Sequence, residues 1–134
     1  MKYLLDTNAC IEYLNTPASD VRRRLAHARP TDVCVCSIVQ AELLYGARRS
    51  KQTDRSLAVV REFLAQFKNV PFDNGAAEVY GTIRAQLAVA GTMIGPYDLL
   101  IAATAIAHDL IVITHNKREF GRVAGLCIED WQGQ

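Results

Sequence analysis

Fourteen Asp and Glu residues are spread along this 134-residue chain, and most sit where ordinary surface acids sit. Glu62 and Glu78 fall in amphipathic helical patterns, while Asp20, Asp54 and Asp73 fall at helix starts or in loops. A few positions differ. Asp6 directly follows the apolar pair Leu4-Leu5. Glu42 is embedded at helical spacing in Ile38-Val39-Gln40-Ala41-Glu42-Leu43-Leu44-Tyr45, and a carboxylate pressed toward a core edge needs a partner or a cation. Asp98 opens a very apolar stretch after Gly95-Pro96-Tyr97, and Asn116 and Glu119 follow the apolar run at 111–114. Each has a plain reading: Asp6 and Asp98 as turn or cap residues, Glu42 as a surface helical acid. Brought to one spot, the carboxylates would repel and at least one pKa would rise, unless something positive sat between them. Hard oxygen donors without matching His or Cys favour Mg²⁺ or Mn²⁺ over zinc. Such an ion acidifies a bound water and neutralises a phosphodiester as it breaks, so the suggested chemistry is phosphodiester hydrolysis.

Acids so far apart in sequence meet only if the fold delivers them to one place. Short apolar runs predict strands at 3–5, 33–36, 70–72 and 110–114, with a weak one at 127–128. Helices are predicted between them. The first covers 9–14, and the second opens at Thr16-Pro17 and runs to about 28. The third is capped by Ser37, with Gln40 completing a capping box, and runs to about 49. The fourth begins at Thr53 and carries Leu57, Val60, Phe63, Leu64 and Phe67 on one face. A long fifth helix is capped by Asn74 and closed by Gly91, and a sixth spans 97–108. Strands alternating with helices imply an α/β chain with a short, mainly parallel sheet covered on both faces. Such sheets place their sites beyond the carboxyl ends of the strands, which is where all the singled-out acids would emerge.

Composition narrows the partners. Half the residues are apolar, so a core is expected, and 134 residues make one domain, 1–134. A net charge of +1 is not that of a general nucleic-acid coat protein, so any positive surface must be local. Arg48 and Arg49, near Lys51 and Arg55, and Lys117 and Arg118, near Arg122, are the candidates for RNA contact beside the acids; Arg22, Arg23, Arg24 and Arg29 form another basic group. Each group alone reads first as a solvated helix face. Cys10, Cys34, Cys36 and Cys127 show no metal spacing and read as reduced core thiols. His27, His108 and His115 share no catalytic spacing, and no phosphate-cradling glycine loop is present. Trp131 is expected to anchor the tail. The longest apolar stretch, 99–107, is shorter than the roughly 20 residues that cross a bilayer. The acid at position 6 interrupts what a signal peptide would continue, so a cytoplasmic protein without membrane association is expected.

Four segments carry a family resemblance: Leu4-Leu5-Asp6-Thr7-Asn8, Ala41-Glu42-Leu43-Leu44-Tyr45-Gly46-Ala47, Tyr97-Asp98-Leu99-Leu100-Ile101-Ala102-Ala103 and Thr114-His115-Asn116-Lys117-Arg118-Glu119-Phe120. In this order, over nearly the whole chain, they resemble the PIN-domain family and, more narrowly, its VapC-type toxins. The resemblance implies a three-layer α/β/α fold and a Mg²⁺- or Mn²⁺-dependent endoribonuclease acting on tRNA or other structured RNA. It also implies a cognate antitoxin that blocks the site. By position it makes Asp6 and Asp98 metal ligands, adds Glu42 to the catalytic set, and lets Thr7 and Thr114 orient ligands or water. One departure stands out. The family often has a fourth acid where this chain has Asn116, and Glu119, about one helical turn on, is the candidate replacement, with Asn116 orienting. The family commonly forms homodimers, and the apolar face from Leu57 to Phe67 is offered for that contact.

Two other functions compete. An aspartate-nucleophile phosphatase would use Asp6 but wants an acid two residues later, where Asn8 stands. A catalytically silent PIN-fold module binding RNA or protein would fit the missing acid at 116, though not the intact Asp6, Glu42 and Asp98.

Overall fold

The computed structural model describes residues 1–132. Its strands are β1 (Tyr3–Leu5), β2 (Val33–Cys36), β3 (Lys68–Val70), β4 (Ile111–Ile113) and β5 (Ile128–Glu129). The helices are α1 (Thr7–Asn15), α2 (Asp20–His27), α3 (Ser37–Arg49), α4 (Thr53–Leu64), α5 (Asn74–Ala90), α6 (Pro96–Ala107) and α7 (Lys117–Phe120). All the strand pairs are parallel, in the order β3-β2-β1-β4-β5, with helices covering both faces of the sheet. The expected three-layer α/β/α architecture is what forms.

The order of the strands positions the site. From β1 the chain steps outward to β2 and β3, then returns to lay β4 and β5 on the other side of β1. Direction therefore reverses between β1 and β4, and the crevice beyond the carboxyl ends of such a pair is the usual site of an open parallel sheet. Leu5 is in register with Ile113, and the Asp6 amide donates to the Ile113 carbonyl at 3.1 Å. Asp6 and Thr114 thus leave the sheet side by side.

Val33, Cys34, Val35 and Cys36 are all buried, as a parallel strand covered on two sides requires. Helix α6 is the most deeply packed, with Leu99 and residues 101–105 buried and its alanines allowing close approach to α5. The Leu57–Phe67 face is not available for self-association. Leu57, Val60, Phe63 and Leu64 are buried and Phe67 is half-buried, with the Phe63 ring 5.0 Å from that of Tyr13. An amphipathic face of that width is what a core-facing helix shows too, and here the core takes it.

Several boundaries move for identifiable reasons. Helix α1 starts at Thr7 rather than 9, because Asp6 caps it by accepting from the Ala9 amide at 2.8 Å. Ser19, not Thr16-Pro17, caps α2 through the Arg22 amide. Ser37 is the first residue of α3 rather than its cap, and its hydroxyl accepts from Asn69. Asp73 replaces Asn74 as the cap of α5. Strand β3 ends at Val70, since Pro71 has no N–H for the ladder. Gly91, at φ 68°, closes α5 in the left-handed conformation as predicted. Trp131 is buried edge-on against Tyr3 and fixes the tail. All four cysteines are free; Cys127, expected in the core, is exposed. No helix of the described residues is long and apolar enough to cross a membrane.

Candidate active site

Asp6 reaches the crevice from the end of β1 and is only 2% exposed. Burial, and the nearby charges of Glu42 and Asp130, push its carboxyl up to about 6, against the opposing hydrogen bonds of Thr114 and the Ala9 amide. Thr7, the next residue, donates its hydroxyl to Glu42 Oε1 at 2.6 Å. That bond joins the first turn of α1 to the second turn of α3 and fixes Glu42, half-buried among apolar neighbours, in one position.

Asp98 lies in the first turn of α6, where Pro96 stands at the helix start. Its carboxyl is also pushed up to about 6, by burial first and then by the charges of Glu119, Asp6 and Glu42. The opposing bond comes from Asn116, whose side-chain amide nitrogen lies 3.4 Å from Asp98 Oδ2 and 2.7 Å from Glu119 Oε2. Asn116 follows β4 and caps α7, where its oxygen faces the Glu119 amide at 3.5 Å. What it turns toward the acids is therefore a donor. Glu119 also accepts from the Gly95 amide at 2.9 Å, and these bonds hold its carboxyl below the usual range. Gly95 sits against both acids: a Cβ there would lie 3.8 Å from Asp98 Oδ2 and from Glu119 Oε1, ordinary contact distance.

Asp6, Thr7, Glu42 and Asp98 line one open cleft of about 520 Å³, together with Ile11, Ile38, Tyr45, Arg49 and Tyr97. Thr114 is buried behind Asp6, and its hydroxyl accepts from the Asn116 amide at 2.9 Å. Of the basic candidates, Arg49 lines the cleft and Arg48 is exposed beside it at the end of α3. Arg118 is exposed, and Lys117 is engaged 3.5 Å from Asp130. Asp130 had no place among the sequence candidates. It follows β5 at the same end of the sheet, with its side chain 7% exposed. Burial works against its charge, yet the Gln132 amide, His115 at 3.0 Å and Lys117 hold it below the usual carboxylate range. The signal was the weak strand expected at 127–128; it runs one residue further, so the acid directly after it is Asp130 and not Glu129.

A family model for the PIN domain matches residues 3–126. The chain belongs to the PIN-domain family. Its relatives place it among the VapC-type PIN proteins. It is 42% identical over 131 residues to the tRNA(fMet)-specific endonuclease VapC of Salmonella typhimurium, covering 98% of each chain. Among solved structures it is similar to DNA-bound VapBC from Salmonella typhimurium, with a TM-score of 0.90, 43% identity and 98% of both chains covered. VapBC2 from Rickettsia felis, bound to a fragment of promoter DNA, superposes with a TM-score of 0.92 at 33% identity, over 98% of this chain and 100% of that one. In this PIN domain, Asp6, Glu42, Asp98 and Glu119 come from four separate elements and converge beyond β1 and β4.

Proposed function

We propose that this chain is an endoribonuclease dependent on Mg²⁺ or Mn²⁺, the toxin of a toxin–antitoxin pair, and that it hydrolyses structured RNA such as tRNA. The observation that carries the reading is that Asp6, Glu42 and Asp98 line one cleft where the strand order reverses, with Glu119 joined to Asp98 through Asn116. Its relatives' names, ribonuclease and tRNA endonuclease, support it.

The donor set fits the metal. The cleft offers carboxylate oxygens and neither thiolate nor imidazole, which suits a hard divalent cation. The charge fits as well, since Asp6 and Asp98 are both pushed up partly by facing like charges. Among the described residues, no three or more Asp, Glu, His or Cys side chains are grouped closely enough to hold a metal ion by themselves. Mg²⁺ suits such an open set, because it commonly uses one or two carboxylates and completes its shell with water and substrate phosphate.

Asp6 and Asp98 would hold the ion. Once bound, it supplies charge neutralisation at the phosphodiester and a more acidic water. Thr7 keeps Glu42 at the cleft, Thr114 orients Asp6, and Asn116 with the Gly95 amide fixes the Glu119 carboxylate beside Asp98. Arg49, which lines the cleft, and the exposed Arg48 and Arg118 would supply local positive charge for RNA phosphates, while Lys117 is already engaged with Asp130.

The antitoxin would occupy the apolar groove of about 570 Å³ that runs on from Glu42 between α1, α3 and α4, lined by Ile11, Leu14, Leu43, Val59 and Val60 with Lys51 and Arg55 at its edge. A homodimer would use the exposed side of α5, where Val89 is 92% exposed, with Met93 beyond it. A cytoplasmic location goes with RNA as substrate.

The test is end-mapping of cellular RNA after brief induction, compared with Asp6→Asn, and cleavage of purified RNA with and without EDTA. Metal-activated hydrolysis leaves a 5′-phosphate and a 3′-hydroxyl. Products with a 2′,3′-cyclic phosphate, or cleavage indifferent to EDTA, would overturn the reading.

A further inference from the structure

The chain has ten aromatic residues, and the fold accounts for eight of them. Phe120 is fully buried, and Tyr3, Tyr13, Phe63, Phe67, Phe72, Tyr80 and Trp131 each pack against another ring. Tyr45 and Tyr97 do neither. They are 65% and 57% exposed, and both line the acidic cleft. Each is tied to one of its acids: Tyr45 lies one turn beyond Glu42 on α3, and Tyr97 directly precedes Asp98 at the start of α6. The Arg49 guanidinium sits 5.3 Å from the centre of the Tyr45 ring, which places a cation beside one aromatic wall.

Both rings are largely exposed and both line the cleft that holds the acids, so each leaves a face open to an occupant of that cleft. Resting on the ribonuclease reading, we propose that Tyr45 and Tyr97 are stacking platforms for unpaired bases on the two sides of the scissile phosphate, with Arg49 on the adjoining phosphate. Bases inside an A-form duplex are stacked on each other and cannot lie on a protein ring, whereas bases splayed from a loop can. Stacking is sequence-tolerant because every base has a π-face, so these residues select for unpaired structure and leave sequence choice to other contacts. The enzyme therefore takes loops and bulges, and a fully paired stem is excluded even where its backbone reaches the cleft.

The test uses the full chain with Mg²⁺ and three RNAs: a hairpin carrying the mapped cleavage site in its loop, the same hairpin with an abasic nucleotide on either side of that site, and a fully paired duplex of the same sequence. Wild-type protein should cut the loop and leave the duplex intact. Tyr45→Ala and Tyr97→Ala should each raise KM for the intact loop about ten-fold, with Tyr→Phe restoring it. An abasic nucleotide should cost wild-type protein a similar factor, and the matching Ala variant should lose less than two-fold more on that RNA. Losses that multiply, or Ala variants with unchanged KM, overturn the proposal. So does a result in which both Ala variants cut normally but lose the antitoxin, for then the rings serve that partner. Wild-type protein that cuts none of these RNAs, nor total cellular RNA, brings down the ribonuclease reading itself and this proposal with it. Equal cutting of loop and duplex sinks only the stacking proposal.

Discussion

Asn116 donates its side-chain amide to Glu119 Oε2 at 2.7 Å, three residues along the chain, and the same nitrogen lies 3.4 Å from Asp98 Oδ2. Where the resemblance implied a fourth carboxylate, this chain carries a donor that ties two others together. Position 116 thus exchanges a carboxylate's charge for a donor, while Glu119 is the first of the charges that raise Asp98.

Asn116→Asp tests that exchange cleanly, because Asp is as good a helix cap as Asn and leaves α7 capped. The lost donor and the added charge should raise the pKa of Asp98 further and destabilise the metal-free protein at pH 7.5 by about 1–2 kcal/mol, more than half of it recovered in millimolar Mg²⁺. Thermal melts with and without Mg²⁺ read this out; a variant at least as stable as wild type without metal would show that the donor is not needed.

The metal-free protein should also lose stability as pH rises. Asp6 and Asp98 are both raised to about 6 in the folded state, above the ordinary carboxylate value. Raised carboxyls favour folding while protonated, so their contribution is complete below the unfolded pKa, near 4, and is lost as pH climbs through 6. For Asp6, which is almost wholly buried, the loss is on the order of 2–3 kcal/mol between pH 4 and pH 7.5. Denaturant titrations in EDTA should show this slope, after subtraction of the same series for Asp6→Asn; saturating Mg²⁺ should flatten it. A slope unchanged by Asp6→Asn would remove Asp6 as its source.

Asp6→Asn should itself abolish RNA cleavage, by about a hundred-fold or more, and relieve growth arrest. The fold should survive, because an Asn side chain can still cap α1 through the Ala9 amide. Circular dichroism and RNA cleavage on the same preparation decide it: full activity of a folded variant would take Asp6 out of the chemistry.

Much of this was legible in the sequence, for physical reasons. Asp6 and Asp98 could be singled out because each breaks an apolar run, and the parallel-sheet rule then put them at one end. The caps and strand ends moved by one to three residues because neighbouring polar residues compete for them: Asp73 and Asn74 are both good caps, and only the backbone decides between them. The Leu57–Phe67 stripe could not be assigned because periodicity marks a buried face without saying what buries it. Asp130 was missed for a different reason. The weak last strand expected at 127–128 runs one residue further, where β5 pairs with β4, and so the acid directly after it is Asp130.

Thr7→Val should separate positioning from chemistry at Glu42. Valine keeps the shape of threonine and removes the hydroxyl that donates to Glu42 Oε1 at 2.6 Å. Glu42 then keeps its charge but loses its anchor, and a loosely held carboxylate is worth less to a transition state than a fixed one. Cleavage should fall about ten-fold in kcat, with stability changed by less than about 1 kcal/mol, since the bond is only partly buried. Thr7→Ser should restore the rate, which a purely steric role would not explain. If Thr7→Val cuts RNA at the wild-type rate, Glu42 is held by its own helix and the Thr7 bond has no part in the reaction.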